Sequence, residues 1–244
     1  MERKKSIVQI KKILLDFLLP TKCIGCKNDG TMLCEKCAKK IQIFNTPICF
    51  SCRKRLPLEN FSQNNFLCHP KNRIKCVFVA ASYGDPVLKE AIQKYKYKNI
   101  HELNQFLSSL IVESLENFAR KISPEEKSSW VIVPVPLHPK KEKSRGFNQS
   151  FLIAKIVSEH FNITLDIVSL KRIKNTSPQA QIKNKDERLK NMEDAFQVDP
   201  NASLKDKNIL LIDDILTTGA TLEECAKALK TGDVKKIVAA VLAN

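Results

Sequence analysis

One stretch of thirteen residues, Ile209 to Thr221, constrains this chain more than any other; it reads ILLIDDILTTGAT. Ile209 to Ile212 form a short run of branched apolar residues, the pattern of a strand buried on both faces. Two adjacent carboxylates follow, Asp213 and Asp214, then Ile215 and Leu216, then small and hydroxylated residues around Gly219. Beyond Thr221 the period changes, because Leu222, Cys225, Ala226 and Leu229 fall on one side of a helix. The unit is a strand, an acidic tip, a small-residue loop and a helix, which selects an α/β fold built on a buried parallel strand.

Both ends of that unit carry chemistry. Thr217, Thr218, Gly219, Ala220 and Thr221 feed a helix N-terminus, so the loop offers backbone N–H groups, hydroxyl donors and the positive end of the helix dipole. That is a seat for a phosphate. Asp213 and Asp214, at the carboxyl end of the strand, stand about one sugar's width away, where carboxylates accept hydrogen bonds from vicinal hydroxyls or hold Mg²⁺ through water. Together they describe a receptor for a ribose 5-phosphate. The chain has no G-x-x-x-x-G-K-[ST] and no G-x-G-x-x-G, so the other strand-loop-helix phosphate motifs are excluded.

The 244 residues are enough for one α/β domain and a smaller module, and 43% apolar residues can fill a core. A formal charge of +15 implies a polyanionic partner, whether nucleic acid, a phosphorylated metabolite or an anionic membrane surface. Eight of nine cysteines lie between Cys23 and Cys76, six of them in C-x-x-C pairs, which read as zinc knuckles in a reducing compartment and place the protein in the cytoplasm. Met1 to Leu19 is apolar in part, with Ile7, Ile10, Leu14 and Leu18 on one helical stripe. Lys11, Lys12 and Asp16 interrupt it before membrane-spanning or signal-peptide length, so an amphipathic helix packed on the next domain is expected and an integral membrane protein is not.

Residues 1–76 are expected to form this helix and a double zinc-ribbon module. Cys23, Cys26, Cys34 and Cys37 offer four soft ligands for one tetrahedral, structural Zn²⁺. Cys49 and Cys52 make a further knuckle, whose partners are open: Cys68 with either His69 or Cys76 could complete it. Adjacent residues seldom share one ion, so Cys76 is favoured over His69.

Residues 77–244 are expected to form the larger domain, with strands at Val77–Tyr83, Trp130–Pro136, Thr164–Leu170, Ala195–Val198, Ile209–Ile212 and Lys235–Leu242 and helices at Pro86–Tyr97, His101–Arg120 and Ser150–Phe161. The order indicates a doubly wound, mostly parallel sheet. Tyr95-Lys96-Tyr97-Lys98 reads either as a nucleotide-facing surface or as a helix end with snorkelling side chains. Leu137 to Asn148 reads as a basic loop that carries Arg145 and Gly146 across the crevice from Asp213 and Asp214, where it would neutralise a pyrophosphate. Lys171 to Asn191 is a long polar loop, either simply solvated or a lid over an anionic substrate.

These pieces together resemble the ComF family of competence-associated, phosphoribosyltransferase-like proteins over nearly the whole length. The resemblance rests on the cysteine knuckles, Val133-Pro134-Val135-Pro136-Leu137-His138-Pro139, Arg145-Gly146-Phe147-Asn148-Gln149, Lys171-Arg172-x-Lys174-x-Thr176-x2-Gln179, Ala195-Phe196 and ILLIDDILTTGAT. Lys174 stands where arginine is usual. The resemblance implies a type I phosphoribosyltransferase-like fold that binds phosphoribosyl pyrophosphate (PRPP) with Mg²⁺. In it Asp213 and Asp214 lie on the ribose hydroxyls, Thr217 to Thr221 lie around the 5-phosphate, and Arg172, Lys174 and Gln179 belong to the lid. It also implies a part in natural DNA transformation, with single-stranded DNA and the competence machinery as partners. Sequence supplies the PRPP seat but no nucleobase pocket: the chain stops soon after its last strand, and a hood is expected from the zinc ribbons and Tyr83–Tyr97. Two classes stay open, an enzyme that displaces pyrophosphate from PRPP and a non-catalytic single-stranded DNA-binding protein using the same pocket.

Overall fold

The computed structural model describes residues 21–58, 68–97, 101–176 and 185–244. The expected helix within Met1–Leu19 and the lid residue Gln179 lie outside the described residues. Elements are numbered here in chain order: α1 (Glu35–Ala38), β1 (Ile74–Ala81), α2 (Pro86–Tyr97), α3 (His101–Ala119), α4 (Pro124–Lys127), β2 (Trp130–Pro134), α5 (Pro139–Arg145), α6 (Gln149–Phe161), β3 (Thr164–Leu165), β4 (Leu170–Arg172), α7 (Lys185–Met192), β5 (Phe196–Val198), β6 (Asn208–Ile215), α8 (Ala220–Lys230) and β7 (Lys236–Ala243). Among the described residues, no helix is long and apolar enough to cross a membrane.

Five strands form one parallel sheet in the order β1-β7-β6-β2-β3. Strand β6 is central because Ile209 to Ile212 are buried on both faces. Its alternate residues divide between two cores. Leu210 and Ile212 pack with α2, α3 and α6, while Ile209 and Leu211 pack with α8 and the small β4–β5 sheet. Helix α6, which follows β2, and helix α8, which follows β6, therefore cover opposite faces of neighbouring strands. In a doubly wound sheet such a reversal marks the ligand crevice, here at the carboxyl ends of β2 and β6.

The prolines of β2 fit this arrangement. Val135 donates its N–H to Ile212 O of β6 at 2.8 Å, and Ile132 O accepts from Asp166 N on the β3 side at 2.9 Å. By alternation Pro134 and Pro136 face the β3 side, but β3 pairs only with Val131 and Ile132. Their missing N–H groups thus cost no ladder bond. Strand β3 is shorter than the expected Thr164–Leu170 because Asp166 Oδ1 accepts from Val168 N and Ser169 N, both at 2.9 Å, closing a turn that ends the strand.

Two segments expected as loops contain helices. Within Leu137–Asn148, Pro139 opens α5, His138 Nδ1 caps it by accepting from Lys140 N at 3.2 Å, and Gly146 (φ 86°) closes it in the left-handed conformation. Within Lys171–Asn191, residues Leu170–Arg172 pair antiparallel with Phe196–Val198, and α7 lies in the connection. The described start of the expected lid is thus one strand of a hairpin, tied to the other by Ile173 N to Ala195 O at 2.8 Å.

The N-terminal module is fastened to the sheet. Ile48 exchanges backbone hydrogen bonds with Val77 at 2.8 and 2.9 Å, and Phe44 N donates to Ala80 O at 2.8 Å. The segment from Ile43 to Ile48 thus covers the outer edge of β1, which would otherwise present unpaired backbone groups. Arg73 on this side meets Glu223 of α8 at 2.6 Å.

Candidate functional site: a phosphate crevice and two metal centres

Asp213 lies near the carboxyl end of β6 in an almost closed setting, 9% exposed. Its Oδ1 accepts from Ser150 Oγ at 3.1 Å and from Asp214 N at 2.9 Å. Burial, and then the neighbouring charge of Asp214, push its carboxyl up to about 7, against the opposing pull of the Asp214 amide, Lys96 and Ser150. Asp214 pairs with Lys96 Nζ of α2 at 2.9 Å. Burial works against the Lys96 charge, but Asp214 and Asp213 outweigh it and hold the ammonium above its ordinary range.

The loop after β6 presents free hydrogen-bond donors. Leu216 N is the last amide tied to the sheet, donating to Ala243 O at 2.8 Å. The N–H groups of Thr217, Thr218 and Gly219 have no hydrogen-bond partner among the described residues. Gly219 (φ 88°) is the left-handed N-cap of α8, and Thr218 Oγ1 accepts from Ala220 N at 3.3 Å. Thr217 is exposed, while Thr218 and Thr221 are half-buried. Free amides at the start of an eleven-residue helix with a hydroxylated rim are donors of the kind an anion takes.

Opposite lies the segment after β2. Arg145 Nη1 donates to Gln149 Oε1 at 2.7 Å, and Gln149 Nε2 donates to Lys96 O at 3.2 Å. Asn148 caps α6 by accepting from Ser150 N and Phe151 N, and its Nδ2 holds Val135 O at 3.1 Å. The segment from Arg145 to Ser150 therefore sets one cation, one helix start and the hydroxyl that reaches Asp213. Burial, followed by the nearby charges of Arg172 and Arg145, pulls the Lys141 ammonium down, so these cations crowd one another. Arg172 lies 5.4 Å over the Phe196 ring, is bonded to Thr176, and has a buried Nε without a partner among the described residues. Among the described residues none of Lys141, Arg145 and Arg172 makes an ion pair, although the Asp213 charge favours that of Arg172. Lys174 instead turns its Nζ to Glu193 O at 2.8 Å and stays on the hairpin connection.

Sequence reasoning did not single out Ser150 as a partner of Asp213, nor Lys96 as a partner of Asp214. Tyr95, read as part of a surface patch, is fully buried; its hydroxyl donates to Asn104 Oδ1 at 2.6 Å and its ring meets Phe147 at 5.9 Å. A helical count would have separated them, since Tyr95 shares the stripe of Leu88, Ala91 and Ile92 and Lys96 does not.

The cysteines form two centres. The ligand atoms of Cys23, Cys26, Cys34 and Cys37 all lie within 4.8 Å of one another, as do those of Cys49, Cys52, Cys68 and His69. In the first, burial raises Cys23, but backbone N–H groups of Cys34, Cys26 and Gly25 outweigh it and bring the thiol down to about 6, towards the thiolate that zinc takes. A Cβ on Gly25 would stand 2.6 Å from Cys37 Sγ, so the knuckle closes only around glycine. Both donor sets suit tetrahedral Zn²⁺. The favoured choice of Cys76 over His69 is corrected. Cys76 lies inside β1, fully buried, with burial pushing its thiol far up, whereas His69 Nδ1 stands 3.3 Å from Cys49 Sγ. The turn after Cys68 brings the adjacent histidine into the same set of donor atoms.

Two domain profiles match parts of the chain. The Double zinc ribbon domain profile matches residues 14–70 and the Phosphoribosyl transferase domain profile matches residues 148–244. Competence protein F of Haemophilus influenzae is 29% identical over 221 residues, covering 88% of this chain and 93% of that protein. ComFC of Bacillus subtilis is 34% identical over 152 residues, 61% of this chain and 55% of that protein. DNA utilization protein YhgH of Escherichia coli is 28% identical over 149 residues, 61% of this chain and 63% of that protein. The chain thus joins a double zinc ribbon to a phosphoribosyltransferase-type parallel sheet and is similar to proteins of these names, which bears out the resemblance to the ComF family.

Proposed function

We propose that the crevice between β2 and β6 binds PRPP, or another ligand carrying a ribose 5-phosphate, and that the protein acts in competence, in the handling of DNA in the cytoplasm. The observation that carries the reading is the opposition across one crevice of the acidic pair and free-amide loop on β6 to the crowded cations Lys141, Arg145 and Arg172. The 5-phosphate would sit on Thr217 to Thr221, the ribose hydroxyls on Asp213 and Asp214, and the diphosphate, with the Mg²⁺ it brings as part of the ligand, near Arg145 and Gly146 and the hairpin cations. The names of the relatives, competence protein F and DNA utilization protein YhgH, support the biological half of the reading.

Displacement of pyrophosphate needs no protein nucleophile. An incoming amine attacks the anomeric carbon as the C–O bond to pyrophosphate breaks, and the chain's part is to position the ribose and neutralise the leaving group. Zinc at the two cysteine centres performs no chemistry there; it fixes the ribbons against β1.

A second reading is a non-catalytic seat for a 5′-phosphorylated single strand. The net charge of +15 favours it, since exposed lysines would track the backbone by counterion release. Calorimetry of the zinc-loaded protein with PRPP and Mg²⁺, beside the Asp213→Asn/Asp214→Asn variant, tests the site. Binding by the parent alone supports it, and a folded parent that binds neither PRPP nor ribose 5-phosphate refutes it. Release of pyrophosphate separates the enzyme from the binding protein.

A further inference from the structure

The two zinc knuckles are copies of one turn. Cys23 N donates to Asn28 O and Lys27 N to Cys23 O, at 2.8 and 2.9 Å; Cys49 N donates to Lys54 O and Arg53 N to Cys49 O, at 2.8 and 3.0 Å. In each, the residue after the second cysteine is left-handed, Lys27 at φ 65° and Arg53 at φ 62°. Each turn therefore holds one cation in a conformation that a non-glycine residue adopts only under constraint. The fates of the two cations differ. Lys27 Nζ reaches Ile24 O at 2.8 Å and Glu90 at 3.6 Å. Arg53 makes no ion pair among the described residues, and its Nη1 is buried with no hydrogen-bond partner there.

The direction of Arg53 is informative. A Cβ built on Gly219 would stand 3.3 Å from Arg53 Nη2 and 3.0 Å from Cζ of Phe50, the ring over which the guanidinium lies at 5.3 Å. The second knuckle thus lays an unpaired guanidinium against the loop whose Thr217, Thr218 and Gly219 amides are also unpaired. A buried donor without an acceptor is costly, and guanidinium with free amides is a donor set matched to a phosphate dianion. The knuckle is also fixed, since Ile48, next to Cys49, is paired to β1 in both directions.

We infer that Arg53 is a direct ligand of the phosphate bound on the Thr217–Thr221 loop, so that the metal centre of Cys49, Cys52, Cys68 and His69 sets the affinity of the crevice by holding Arg53 over it. The inference rests on the reading of that loop as a phosphate seat. It gives the second ribbon a role in ligand recognition: it supplies one wall of the site.

The test is calorimetry of the full-length, zinc-loaded chain with ribose 5-phosphate, PRPP and inorganic pyrophosphate as probes. Arg53→Ala is expected to retain two zinc ions and to weaken ribose 5-phosphate and PRPP roughly ten- to hundred-fold, the worth of a charge-assisted hydrogen bond, with pyrophosphate affinity unchanged. Arg53→Lys should recover part of the loss. His69→Ala, which removes one ligand of the second centre, should weaken the same two probes, and combining it with Arg53→Ala should add little. Parent-like affinity of Arg53→Ala for ribose 5-phosphate overturns the inference while leaving the phosphate seat intact. Equal weakening for pyrophosphate also overturns it, because the effect would then not be local to the 5-phosphate. A parent that binds neither ribose 5-phosphate nor PRPP overturns both the inference and the reading beneath it.

Discussion

Ser150 Oγ, at the first turn of α6, donates to Asp213 Oδ1 at the end of β6 across 3.1 Å. The bond joins the two loops of the crevice before any ligand arrives, and it favours the ionised form of a carboxyl that burial opposes. Ser150→Ala removes that support, so the Asp213 carboxyl should rise further, by up to about one unit. If ionised Asp213 receives a ribose hydroxyl, the pH at which PRPP affinity reaches half its maximum should rise with it. Calorimetry at a series of pH values reads this shift, and an unmoved profile contradicts it.

Asp213 itself should make the fold less stable at neutral pH. Its folded pKa of about 7 stands above the ordinary 3.8, so the folded chain keeps a proton that the unfolded chain releases. Stability therefore falls as pH rises from about 4 through about 7. Asp213→Asn keeps the Oδ1 acceptor for Ser150 and the Asp214 amide and removes the charge. The variant should melt above the parent at pH 8, by about 2–4 °C for each kcal/mol relieved, with the gap closing towards pH 4. A constant or inverted gap across that range contradicts the assignment.

Lys96→Met should act in the opposite direction. It leaves Asp214 beside Asp213 with no counter-ion at 2.9 Å. The pair is half-buried, so the loss should be about 1–3 kcal/mol, between the values for surface and fully buried pairs. Urea unfolding measures it, and a loss below the surface value shows the pair to be incidental.

Zinc content separates the two candidate ligands of the second centre. Metal analysis of purified protein should give two ions for the parent and for Cys76→Ala, and one for Cys52→Ser. Loss of an ion in Cys76→Ala contradicts the ligand set of Cys49, Cys52, Cys68 and His69.

The sheet was legible because its central strand is a continuous branched run and its carboxyl end carries charge at two adjacent positions. The helices of Pro86–Tyr97 and His101–Ala119 follow the same logic of period. Less legible was everything set by contact between distant segments. Ser150 and Asp213 are 63 residues apart, and Met32 N to Glu102 or Ser114 Oγ to Phe44 O span 70. Helix α5 was hidden by its charge, although Pro139 at its start and Gly146 at its end mark it. His69 was discounted on adjacency, a local rule that the turn around it overrides. Arg53 carries no local sign of function at all, because its meaning comes from the loop it faces.

A single ligand between the loops after β2 and β6 would touch both segments at once. Hydrogen exchange of the zinc-loaded protein with and without PRPP and Mg²⁺ tests this most directly, because it locates the ligand as well as detecting it. Slowed exchange is expected in peptides covering 213–221 and 139–150, lost in Asp213→Asn/Asp214→Asn. Protection confined to other segments, or none at ligand concentrations that saturate calorimetry, contradicts it.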